Sequence, residues 1–255
     1  MFEPNSTIGW SISRLHATAR DLVAFVRSPT IAAATTRRDE KLADVAWLFL
    51  LNCLIVLAIA MILFPLMMAF GIEMSGNMAA LFNRPVWQIM LIVVIGGPIM
   101  EELMFRSWIS GTPRLLAIFG GLIAWIAGSF VLDELGFMDS GQTAAVVLIA
   151  IISIAVLVAL IRLWKSSVPD WYVRIFPFVF WSQAALFGFI HVFNYAGENA
   201  AALLPFILPQ LVGGLIWGYA RIRYGWWANI VMHMGYNLIA TSGLIYLLLT
   251  GPNPS

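Results

Sequence analysis

The chain has 255 residues, 61% of them hydrophobic and 11% charged, with a mean hydropathy of +0.90 and a formal net charge of +1. A soluble fold of this size cannot bury that much apolar surface, so the composition points to a membrane protein, and the near-neutral charge offers no basic excess for nucleic acid. Cys53 is the only cysteine, which excludes an intrachain disulfide and a cysteine-based metal cluster and suits helix packing.

Residues 1–43 form a first segment. Ile8, Ile12, Leu15, Ala19, Leu22 and Val26 recur at spacings of three and four, with Trp10 close to that stripe and Arg14, Arg20, Asp21 and Arg27 off it. The pattern predicts an amphipathic helix, either lying in the membrane interface or packed on the protein's own cytoplasmic loops. The long apolar run that begins near Asp44 is too late and too long for a cleavable signal peptide. It reads as a retained span.

From 44 to 250 the sequence predicts one all-α membrane domain, a polytopic helix bundle of about seven spans, with six to eight the range the hydropathy allows. The spans fall near 45–70, 86–113, 115–132, 143–164, 176–195, 201–220 and 226–249. Short polar turns such as DELGFMDSGQ (133–142) and YAGENA (195–200) join them. Within the second span the helix is expected to continue past Arg106 to Thr112, with Gly111 and Pro113 as its stop. Every lysine and arginine except Arg84 then falls on or toward one side, Arg37, Arg38, Lys41, Arg114, Arg162, Lys165, Arg174, Arg221 and Arg223 among them. Glu73, Asp133, Glu134, Asp139 and Glu198 occupy the other. The positive-inside rule places the N-terminus in the cytoplasm and, with seven crossings, the C-terminus outside.

Charged groups inside a bilayer are costly unless paired or hydrated, and those that persist face the protein interior. GGPIMEELMFR (96–106) carries three of them: Glu101, Glu102 and Arg106. Glu102 and Arg106 are i and i+4 and share a helix face, while Glu101 is rotated about 100° and faces elsewhere. Pro98 cannot donate to the Val94 carbonyl, and Gly96 and Gly97 permit close helix approach, so a kink is expected just before Glu101. Phe187 with His191, and His233 with Asn237, repeat the i, i+4 relation in later spans. Counting at ~1.5 Å per residue, Glu102 lies about 18 Å from Arg114, His191 about 21 Å from Pro177 and His233 about 15 Å from Arg223. All three fall at one depth. Taken singly, each has a structural reading as well: an ion pair locking two helices, a core histidine on a carbonyl, interhelical hydrogen bonding.

EELMFR (101–106), FGFIH (187–191) and HMGYN (233–237) fit, in order, the EExxxR, FxxxH and HxxxN motifs. In this the chain resembles the type II CAAX prenyl protease and bacteriocin-processing family, also called the abortive-infection family of intramembrane proteases, over roughly residues 86–250. The resemblance implies peptide-bond hydrolysis within the membrane. It implies that Glu101, with His191, activates a water, that His233 and Asn237 bind the oxyanion, and that Glu102, Arg106 and Phe187 support them. The family has been described both as metalloproteases and as glutamate-dependent enzymes; no required metal is expected here, because Asn237 suits an oxyanion donor better than a zinc ligand, and the zinc alternative would use Glu101, His191 and His233. The expected partners are membrane lipids and a peptide or protein substrate, prenylated in one version, with no nucleic acid. The interval from Arg106 to His191 is longer than this family leads one to expect, and its third and fourth spans look like an inserted hairpin. Two other classes compete: a transporter or proton relay, which would use the same midplane carboxylates and histidines, and a non-catalytic scaffold.

Overall fold

The computed structural model describes residues 12–31, 38–137, 143–197 and 200–250. Ile8, Trp10, Arg37, Asp139 and Glu198, which entered the stripe and the charge balance above, lie outside the described residues. Seven helices are long and apolar enough to cross a membrane: Lys41–Phe70, Val86–Ser110, Pro113–Glu134, Thr143–Arg162, Asp170–Asn194, Ala201–Arg223 and Trp226–Thr250. The fold is all-α, as the composition and the run lengths require.

In chain order the elements are α1 (Ile12–Arg27), α2 (Arg38–Phe70), β1 (Glu73–Met74), α3 (Gly76–Phe82), α4 (Val86–Ile89), a π-helical segment (Met90–Gly96), and α5 (Gly97–Arg106). A 3-10 turn (Trp108–Ser110) precedes α6 (Pro113–Glu134), α7 (Thr143–Arg162) and α8 (Asp170–Ile190). A second 3-10 turn (His191–Asn194), β2 (Tyr195–Ala196), α9 (Ala200–Leu203), a third 3-10 turn (Leu204–Ile207), α10 (Leu208–Arg223) and α11 (Trp226–Thr250) complete the chain. The second span departs from expectation at its end. The α-helix stops at Arg106, not Thr112, and the tighter 3-10 turn continues it to Ser110 before Gly111, at φ +68°, breaks it. Pro113 then opens α6 at a position where its missing N–H costs nothing.

The chain folds into two compact units, Met1–Arg106 with Phe176–Ser255, and Ser107–Ile175. In the first, α10 packs on α2 and α11, and α11 reaches α5 and the π-helical segment. Gly214 makes the α8–α10 contact possible: a Cβ there would lie 3.1 Å from Ala184 Cα. Across this contact Gln183 Nε2 donates to the Phe180 and Gly214 carbonyls, each at 3.1 Å. Buried polar groups in lipid need such partners. The C-terminal half of α1 packs on protein, with Leu22 and Phe25 buried and Phe25 ringed by Phe180, Tyr219 and the Arg223 guanidinium. This half meets the helices α2 and α10, not the cytoplasmic loops that the second reading offered, and Ile12 at the other end is exposed. A two-residue antiparallel ladder, Glu73 opposite Ala196 and Met74 opposite Tyr195, ties the chain beyond His191 to the loop before the second span.

In the second unit α6 and α7 pack on each other. Pro113 is the one buried residue of α6, and α7 has none. Tyr172 at the start of α8 donates its hydroxyl to the Trp108 carbonyl at 3.0 Å.

Candidate active site

The site begins with a register change in the backbone. In the π-helical segment the Gly97 N–H bonds to the Ile92 carbonyl, five residues back. The same register aims residue 98 at the Val93 carbonyl, and Pro98 has no N–H to give. In this register the carbonyl left without a backbone donor by the proline is that of Val93, in a widened turn of the helix. Asn237 on α11 fills the vacancy, its Nδ2 donating to the Val93 carbonyl at 2.8 Å. Gly96 and Gly97 do not serve close helix approach. A Cβ on either would sit 2.9 Å from a carbonyl oxygen of its own segment, Leu91 and Ile92 respectively. The GGP sequence thus widens the helix one turn before the glutamates.

The two glutamates then differ completely. Glu102 and Arg106 are both fully buried and form an ion pair at 2.5 Å. Glu102 Oε1 also meets His233 Nδ1 at 2.8 Å, and Oε2 accepts from Asn229 Nδ2. Three donors from two helices thus hold one carboxylate inside the protein, which is the condition for a charge to persist there. Glu101 keeps 34% of its side-chain surface open, and its Oε2 stands 3.6 Å from His233 Nε2.

Because a carboxylate accepts at His233 Nδ1, that nitrogen carries the proton, and Nε2 is the ring atom presented to Glu101. His191 is arranged in a similar way. It starts the 3-10 turn that ends α8, and its Nδ1 donates to the Phe187 carbonyl at 2.6 Å, leaving Nε2 uncommitted. Phe187 is the hub of the site. Its ring carries the Arg106 guanidinium at 4.0 Å and meets Phe105, His191, Trp217 and His233 at 4.7–5.8 Å between centroids. Glu101, Phe187, His191, His233 and Asn237 all line one cavity of about 380 Å³, together with Asn194, Gln210 and Tyr236. The volume lies within the range of small-molecule and peptide pockets.

Among the described residues no group of three histidine, cysteine, aspartate or glutamate side chains is arranged to hold a metal ion. Glu101, His191 and His233 share the cavity without converging as a ligand set, so the zinc arrangement does not fit these side chains, and no step below passes through a metal.

Asn229, Arg221 and Trp217 escaped the sequence reading. Asn229 precedes His233 by one helical turn, so Asn229, His233 and Asn237 run down a single face of α11; that spacing was visible, but nothing in it said that Glu102 lay opposite. Arg221 Nε donates to the Arg106 carbonyl at 3.1 Å, capping the end of α5. Its place among the cytoplasmic-side cations gave no sign of this.

A family model for Rce1-like type II CAAX prenyl endopeptidases matches residues 83–239, more than half of the chain. The chain belongs to this family. Searches of curated proteins and of solved structures return no match. The Rce1-like family is a peptidase family, and the matched residues run from just before the second span to just past Asn237, enclosing all three motifs. The buried glutamate–histidine pair agrees with the active site of an Rce1-like peptidase.

Proposed function

We propose that this chain is an intramembrane endopeptidase that hydrolyses a peptide bond of a membrane-associated, lipidated substrate, using a water activated by glutamate and histidine. The observation that carries the reading is the division of labour between adjacent glutamates: Glu102 is buried and fully ligated, while Glu101 lines the cavity with part of its side chain exposed, and its buried Oε2 beside His233 has no hydrogen-bond partner among the described residues. An ion pair built only to lock helices would not need the second carboxylate. In the reaction Glu101, with His191 Nε2 bordering the same cavity, takes the proton of a water as its oxygen adds to the substrate carbonyl. The oxyanion is held by His233 Nε2, in the ring's charged form, and by the second Nδ2 proton of Asn237, the first being held by Val93. Collapse of the tetrahedral intermediate returns the proton to the leaving amine. Glu102, braced by Arg106 over the Phe187 ring, orients His233.

The 44–250 region acts as one protease domain with a cytoplasmic N-terminus and an outward C-terminus. The apolar lining from Leu81, Phe82 and Ile92 beside the polar groups suits a lipid-modified peptide. The test is cleavage of a panel of prenylated peptides by the purified wild type and by Glu101→Gln, with and without a chelator. Turnover by the wild type alone, indifferent to chelation, supports the reading. Equal turnover by both proteins rejects Glu101 as the base, loss on chelation restores a metal, and no turnover on any peptide returns the chain to the scaffold or relay class.

A further inference from the structure

Trp217 lies outside all three motifs, yet it makes the closest ring contact of the site. It is 2% exposed, and its indole stacks on the His233 imidazole with centroids 3.8 Å apart and planes 21° from parallel. Phe187 meets the same imidazole edge-on, at 5.8 Å and 83°. The indole lies against residue 213, one turn earlier on α10, which has no side chain: a Cβ there would lie 3.1 Å from Trp217 Cη2 and 3.3 Å from Cζ2 and Cζ3, close enough to push the ring aside by a few tenths of an ångström. Gly213 therefore differs in purpose from Gly214, which admits the neighbouring helix. The Trp217 Nε1–H has no hydrogen-bond partner among the described residues, so whatever the indole does to His233 it does through its ring face.

One hydrogen bond fixes one atom of an imidazole. The bond from Nδ1 to Glu102 leaves the ring free to swing about the bond axis, and such a swing moves Nε2, the atom facing Glu101. A flat ring against one face and an edge against another remove that freedom. We propose that Trp217 is a positioning residue whose indole holds the plane of His233 so that Nε2 faces Glu101 and the cavity, and that Gly213 is there to let it do so.

The kinetic part of this proposal rests on the protease reading; the geometric part does not. The chain has three histidines, so spectra of the full-length protein with ring-labelled histidine show three sets of signals, assigned by replacing each histidine in turn. Trp217→Leu should remove the ring-current displacement of the His233 signals and leave those of His16 unmoved. Trp217→Phe, which keeps a flat aromatic ring but loses the second ring of the indole together with the unpaired N–H, should keep part of it. Gly213→Ala should move the same signals with the indole still present. Cleavage should follow the same order, with kcat reduced about ten- to a hundred-fold in Trp217→Leu and Gly213→Ala, KM little changed, and Trp217→Phe partly restored. Unmoved His233 signals in Trp217→Leu or Gly213→Ala overturn the proposal, as does a kcat equally impaired in the phenylalanine and leucine variants. Should Trp217→Leu fail to fold, Gly213→Ala and Trp217→Phe decide by the same signals. A wild type that cleaves nothing would defeat the protease reading while the resonance comparison still settles the clamp.

Discussion

The two compact units solve the same solvent problem in opposite ways. Asn52, Glu102, Arg106, Gln183, Asn229, His233 and Thr241, the buried polar and charged residues, all belong to the unit formed by Met1–Arg106 and Phe176–Ser255. The Ser107–Ile175 unit buries no polar side chain among the described residues. Its α7, TAAVVLIAIISIAVLVALIR, is apolar on every face and has no buried residue. A helix that lipid can solvate on all sides has no need of an interior, whereas a helix bearing Glu102 or His233 must be enclosed, because each unsatisfied polar group in hydrocarbon costs several kcal/mol. Within this chain the most apolar helices are therefore the least buried, the reverse of a soluble core.

The contrast can be broken or sharpened by substitution, and the largest effect is expected on catalysis. Glu101→Gln should reduce peptide cleavage roughly 10²- to 10⁴-fold with an unchanged thermal midpoint in detergent, because Glu101 is open to the cavity and braces nothing. Next come the enclosed charges. Glu102→Ala should strip Arg106 of its partner inside the protein and lower stability by about 3–5 kcal/mol, read as a fall in unfolding midpoint. Adding Arg106→Met should recover much of that stability while activity stays lost. If the double variant is no more stable than the single one, the stranded Arg106 charge is not the source of the loss.

Asn229→Leu should cost about 1–3 kcal/mol by leaving Glu102 Oε2 without its donor, a smaller loss than that of the ion pair, accompanied by reduced kcat. The smallest effect belongs to the other unit. Val146→Leu and Ile154→Leu on the exposed surface of α7 should each stay within about 0.5 kcal/mol and leave cleavage unaltered. A substantial activity loss from either would show that the Ser107–Ile175 unit has a part in catalysis.

Much of the site was legible because helical spacing is local. The seven spans follow from run lengths, and the pairing of Glu102 with Arg106, with Glu101 turned away, follows from one turn of helix. The convergence of the three motifs was expected from their order and estimated depth, and Glu101, Phe187, His191, His233 and Asn237 line one cavity. The second span was expected to stay helical past Arg106 to Thr112, and it does so to Ser110, its last turn tightened to 3-10 form after α5 ends at Arg106. Pro98 was expected to leave the Val94 carbonyl without a donor; in the π-helical register it faces the Val93 carbonyl, which accepts from Asn237.

By itself the sequence determined which faces of which helices carry polarity, because an i, i+4 repeat puts side chains on one face whatever the helix packs against. Only the tertiary structure decided what those faces meet: that Asn229 and His233 close on Glu102, that Asn237 repairs the backbone at Val93, and that the space beside Gly213 places Trp217 on His233. These partners lie on helices far apart in the chain. Their pairing depends on how ridges, glycines and a widened turn let the helices approach, and no local spacing encodes that.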